Sequence, residues 1–161
     1  MRKTIALLVA GLFAFSCKDG TEDLQRIDQV GHIYIDSLGQ DMLNSAIPGS
    51  YYSVTMNDVY GDTDFSPVSY STGKDADTIS YITYVSGAKR LPISGSSTYE
   101  SKIALALTKK INDSVSKTSN DTMIIRYDNT PEVFQINSVI YNGATVFTKT
   151  PGLPNTIKVV K

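Results

Sequence analysis

The sequence predicts an all-β fold, an antiparallel sandwich, on three observations. Beyond residue 30 the apolar positions recur with period two rather than 3.6, and β-branched residues and the ten tyrosines fill the short runs. Clusters of Gly, Asn, Asp, Ser and Pro punctuate those runs at the spacing of turns. At 161 residues, with 41% hydrophobic and 19% charged, the chain is long and apolar enough to bury one real core, which excludes a disordered tail as its main body.

Taken in order, Leu24, Ile27 and Val30 recur at helical spacing ahead of Gly31, which predicts at most two turns of helix. Strands are then expected at 33–36, 51–57, 68–71, 78–85, 101–108, 122–127, 133–141, 144–148 and 156–160. In the clearest of them Ile103, Leu105 and Leu107 face one way while Lys102, Ala104, Ala106 and Thr108 face the other, as one buried face requires. The same alternation sends Met123, Ile125 and Tyr127 to the core. Asn142-Gly143 stands between two apolar runs, and both residues tolerate the positive φ of a type I′ turn, so 133–141 and 144–148 form a hairpin. Pro151 and Pro154 interrupt pairing before the last strand. No stretch offers a helix long enough for a parallel crossover unit. Short strands at this spacing point to an immunoglobulin-like sandwich, with a transthyretin-like sandwich as the alternative.

The first residues read differently. Arg2 and Lys3 precede an uncharged apolar run from Ile5 to Phe15, closed by Ser16 and Cys17, the chain's single cysteine. The run falls short of the ~18–20 residues that span a bilayer, so it reads as a secretory signal rather than a membrane helix. Residues 1–16 are therefore expected to be removed, 17–30 to serve as a flexible tether, and 31–161 to form one β-sandwich domain. A lone exported thiol would oxidise or pair between molecules, whereas lipid on Cys17 leaves no free thiol.

Ala14-Phe15-Ser16-Cys17 resembles the lipobox of bacterial lipoproteins, with Ala in place of the usual Leu three residues before the cysteine. Looser boxes of this kind occur in Bacteroidetes, and Asp19, Glu22 and Asp23 resemble the charged segment that sends lipoproteins of that phylum to the outer membrane and sometimes to its outer face. The stretch from Ile33 to Asn44, with Asp36, Gly39, Asp41 and Leu43, is similar to the opening of many small Bacteroidetes lipoproteins of uncharacterised function. The resemblance implies an outer-membrane lipoprotein anchored through Cys17, on the periplasmic or the cell-surface face, and brings no catalytic residues. Several acyl chains on one cysteine would make that anchor stable.

Removing Arg2 and Lys3 leaves 13 basic against 16 acidic residues, so the mature part is mildly acidic and nucleic acid is not expected as a partner. The pairs Lys89-Arg90 and Lys109-Lys110 read as solvated surface. His32 is the single histidine and no glycine elbow presents a serine, so no hydrolase triad is expected. Ser-x-x-Lys occurs at Ser71, Ser86 and Ser114 without the partner motifs that would give it chemistry. Asp58, Asp62 and Asp64 surround Gly61 and offer a weak calcium candidate whose spacing does not match an EF-hand. Glu100 and Glu132 are the carboxylates for an alternative reading as a glycan hydrolase, although nothing in their spacing links them. Tyr51, Tyr52, Tyr60, Tyr70, Tyr81 and Tyr84 could supply sugar platforms but also suit half-buried strands.

Asp36-Ser37-Leu38, Asp77-Thr78-Ile79, Asp113-Ser114-Val115 and Asp121-Thr122-Met123 share one order of acid, hydroxyl and apolar residue. The order resembles the O-glycosylation acceptor of Bacteroidetes, and names Ser37, Thr78, Ser114 and Thr122 as acceptors; it also describes ordinary entry into a strand. The expectation is an anchored envelope lipoprotein with a binding or structural role, no cofactor, and a protein or glycan partner. The rival expectations are the carboxylate hydrolase and a subunit of a surface appendage.

Overall fold

The computed structural model describes residues 25–161. They form an all-β sandwich of twelve strands in two packed sheets: β1 (Arg26–Asp28), β2 (Val30–Ser37), β3 (Gln40–Asp41), β4 (Tyr51–Asp58), β5 (Tyr70–Lys74), β6 (Ser80–Val85), β7 (Leu91–Pro92), β8 (Thr98–Lys110), β9 (Ser116–Asn129), β10 (Val133–Tyr141), β11 (Ala144–Thr148) and β12 (Asn155–Val160). The first sheet has the order β1-β10-β9-β8-β4, with β11 also paired to β10 and β7 to β8. The second has the order β12-β2-β6-β5, with β3 paired to the end of β2.

Alternation builds the core as expected. Ile103, Leu105 and Leu107 of β8 and Met123, Ile125 and Tyr127 of β9 are buried. They meet Ile33, Ile35, Ile82, Tyr84, Ile157 and Val159 of the second sheet in one cluster. Asn142 (φ 48°) and Gly143 (φ 86°) make the expected turn, and Tyr141 pairs with Ala144 across it. The β8–β9 hairpin runs unbroken from Thr98 opposite Asp128 to Lys110 opposite Ser116, beyond the expected limits on both strands.

Two expectations are corrected. Ile27 and Val30 do not lie on a helix: the chain pairs as β1 with the first sheet, crosses at Gln29, and continues as β2 in the second. Among the described residues strand pairing therefore begins at Arg26, within the stretch read as tether. The pairing is also mixed, since β1 runs parallel to β10 and β12 parallel to β2. These partners stand far apart in sequence and are joined through the sandwich itself, so no crossover helix is needed. Gly31 leaves room for the Ile157 side chain in the core, since a Cβ there would meet Ile157 Cδ1 at 2.9 Å.

Strand direction gives the sandwich two unlike ends. At the near end the described chain begins, Val133 pairs with Arg26, Asn129 with Phe134, and Asn155 with Gly31. At the far end lie the β8–β9 tip, the β10–β11 turn, the β2–β3 turn and Lys161. An ion pair closes each end. Lys149 Nζ, on a side chain only 6% exposed, donates to Asp28 at 2.7 Å and to the Leu153 carbonyl and Asn155 Oδ1 at 2.8 Å. Lys161 pairs with the buried Asp121, which also accepts from Tyr141 Oη and Asn142 Nδ2.

Candidate functional site

The hydroxyls singled out in the sequence all fall at the far end, and the structure separates them into two classes. Ser114 is exposed on the β8–β9 tip, and Thr78 is exposed with φ 63° in the turn between β5 and β6. Ser37 Oγ donates to the Lys161 carbonyl at 2.8 Å, and Thr122 lies half-buried in β9 with its N–H on Asn142 Oδ1. Thr78 and Ser114 are presented, whereas the Ser37 hydroxyl is hydrogen-bonded and Thr122 is half-buried. Cys17 lies outside the described residues.

The calcium candidate does not assemble. Asp58 turns inward, where one oxygen accepts the Tyr60 N–H at 2.9 Å and the other the Lys89 N–H at 2.6 Å. Asp62 is exposed and pairs with Lys89 Nζ at 2.5 Å, whose hydrogen bond and charge hold its carboxyl below the ordinary value. Asp64 is exposed, and among the described residues no three His, Cys, Asp or Glu side chains converge as metal ligands. The loop is a structural one clipped by Lys89.

Glu100 accepts from Tyr60 Oη at 2.9 Å and pairs with Arg126 at 3.4 Å. Glu132 stands exposed in the β9–β10 turn, where a hydrogen bond with Thr130 lowers its pKa. Neither hydrogen bond nor ion pair joins the two. His32 packs edge-on to Tyr81, at 5.0 Å between ring centroids. Of the tyrosines, Tyr51 and Tyr84 are core, and Tyr70 Oη donates to the Val54 carbonyl, so these three are structural.

Two of the hollows on the described residues are lined by charged side chains together with tyrosine or phenylalanine and are taken as candidate sites. One, of about 450 Å³, lies on the outer face of the second sheet toward the far end, between Tyr34, Asp36, Asp75, Asp77 and Lys158. Burial, reinforced by the Asp75 charge, raises the Tyr34 hydroxyl above its ordinary pKa, so it stays a neutral donor and acceptor. The other, of about 520 Å³, opens at the near end between Gln25, Gln29, Arg90, Tyr99, Asn129 and Phe134. Compared with known proteins, the chain matches no family, no curated protein and no solved structure.

The near-end cleft centres on a residue that the sequence reading left on the surface. Lys89 is exposed, but Arg90 is half-buried, its guanidinium carbon 4.8 Å from the Phe134 ring centroid and 5.3 Å from that of Tyr127. Those two rings are themselves stacked, at 5.5 Å. Arg90 Nη2 donates to Gln29 Oε1 at 3.1 Å and to the Ser86 carbonyl at 2.7 Å. Its buried Nε has no acceptor among the described residues. No local signal separated Arg90 from Lys89, because what desolvates Arg90 is Phe134 on a strand more than forty residues away.

Proposed function

We propose that the protein is a lipid-anchored envelope lipoprotein, held to the outer membrane through Cys17, whose β-sandwich acts by binding rather than by catalysis. The observation that carries this reading is the sequence around Cys17: a positive start, a short apolar run and a lone cysteine at its end. The geometry of the domain agrees with it. Seven residues separate Cys17 from Gln25, a reach of at most about 30 Å, so an anchored chain keeps its near end close to the lipid. The four acid-hydroxyl-apolar sequences then lie at the end facing away, with Thr78 and Ser114 available for sugar. The two packed sheets of short strands around one core support an immunoglobulin-like reading of the sandwich.

A binding role fits the side chains that the domain leaves open. Tyr34, the aspartates and Lys158 in the outer-face hollow offer hydrogen bonds to hydroxyl-rich ligands, while Glu100 is committed to Tyr60 and Arg126. Fractionation of the native host tests the placement. Wild type should sediment with outer membranes and Cys17→Ala should not; equal partition of the two would overturn the anchor.

A further inference from the structure

We propose that the near-end cleft is a binding site for a saccharide bearing a carboxylate, with Arg90 as the anion-reading residue. The inference rests on the binding role proposed above, to which it gives a site and a ligand class.

Arg90 is half-buried against two aromatic rings, and no Asp or Glu lies within ion-pair distance of it among the described residues. The fold treats its other cations differently: Lys149 and Lys161, each less than a fifth exposed, both have an aspartate. Gln29 and the Ser86 carbonyl take both hydrogens of Nη2, and Nε is closed off from the cleft, so Nη1 is the donor left for a ligand. A carboxylate supplies both an acceptor for Nη1 and the counter-charge that the guanidinium lacks, which a neutral hydroxyl does not.

The cleft also holds spare hydrogen-bond donors. Arg90 can only donate, so Gln29 must present Oε1 to it, which leaves the Gln29 amide donor, Nε2, uncommitted. Gln25 Nε2 donates to the Thr130 carbonyl, which can only accept, and the same nitrogen donates to Asn129 Oδ1 at 2.9 Å. Asn129 therefore keeps Nδ2 uncommitted. The amide orientations are fixed by partners of one polarity, and the result is a lining with spare donors around a cation. Such a lining suits acceptor-rich hydroxyls and an anion. Phe134 and Tyr99, both half-buried at the cleft, add the aromatic surface on which the C–H face of a sugar ring packs. The outer-face hollow, by contrast, carries three aspartates and would repel the same ligand.

The test is a titration of the full chain with a galacturonic acid trisaccharide, followed by amide chemical shifts and calorimetry, beside a neutral galactose trisaccharide and galactose 6-phosphate. The uronate should bind with shifts at Arg90, Tyr99 and Phe134, weaken with salt, and exceed the neutral sugar by at least tenfold. Arg90→Lys, which keeps the charge but loses the planar group that Gln29 and Ser86 hold against the two rings, should weaken binding about tenfold. Because changes at Arg90 disturb stacking on Phe134, Asn129→Asp supplies the second variant: it keeps the oxygen that Gln25 uses and puts a carboxylate where the spare donor stood. It should abolish uronate binding while the protein stays folded. Equal binding of the neutral sugar, preference for the phosphate, shifts confined to another surface, or no binding at millimolar uronate would each overturn the proposal. Fractionation reports on the anchor and the titration on the cleft, so the two readings fail separately.

Discussion

Replacing Asp28 by Asn tests how the near end is held together. Asp28 uses both oxygens, Oδ2 for Lys149 at 2.7 Å and Oδ1 for Asn155 Nδ2 at 2.8 Å, so an amide can satisfy one partner and must face the other with a donor. Lys149 would be left as a buried ammonium without its counter-charge. Severing a buried ion pair from one side costs about 3–5 kcal/mol. The Asp28 side chain is 29% exposed, and the water that reaches it recovers part of this, which places Asp28→Asn at about 2–3 kcal/mol. For a domain of this size that lowers Tm by about 6–15 °C. Urea unfolding with a global probe measures it, and Lys149→Met alone and combined with Asp28→Asn complete a double-mutant cycle. The double variant should lose less than the sum of the singles by at least about 1 kcal/mol. An Asp28→Asn variant within about 0.5 kcal/mol of wild type, or strict additivity, would refute the claim that this ion pair closes the near end by tying β1 to the connection between β11 and β12.

Three further outcomes follow from the same structure. Burial raises the Asp28 and Asp121 carboxyls, but hydrogen bonds and charge, from Lys149 and Asn155 in one case and Lys161, Asn142 and Tyr141 in the other, outweigh it and hold both below the ordinary 3.8. A depressed carboxyl contributes stability that is present above its unfolded pKa and lost as pH falls through its folded one, so urea midpoints should be level above about pH 5 and decline below pH 4; a decline beginning near pH 6 would contradict this. Leu105→Ala, at a position 1% exposed between the sheets, should cost about 3–5 kcal/mol by denaturant unfolding, and a loss under about 1 kcal/mol would mean the sheets are not packed as described. Gly143→Ala, at φ 86° with open space around the added methyl, should cost about 1 kcal/mol through backbone strain alone, with its shifts confined to the β10–β11 hairpin.

The central hairpins were legible in the sequence because each residue there reports its own environment. Ile103, Leu105 and Leu107 alternate with smaller or polar neighbours, and Asn142-Gly143 admits few conformations other than the turn it makes. The outer half of β9 was not legible, since Ser116 to Asn120 are polar on both faces and are strand only through pairing with β8. β1 and β7, three and two residues long, carry no period at all. The parallel pairs join residues such as Asn155 and Gly31, more than a hundred positions apart, and no local pattern encodes such a register. Of the candidate sites, the far-end hydroxyls were visible as a repeated tripeptide. Arg90 was not, because its burial comes from Phe134 and Tyr127, and its want of a carboxylate is a fact of three dimensions.

The measurement that bears most directly on the account is the intact mass of the protein extracted from the membranes of its native host, beside Cys17→Ala. The account predicts a mature chain beginning at Cys17 with added acyl mass on wild type alone, and any sugar mass mapped to peptides containing Thr78 or Ser114. A wild-type protein recovered soluble, with the free thiol of Cys17 and no added mass, would contradict it.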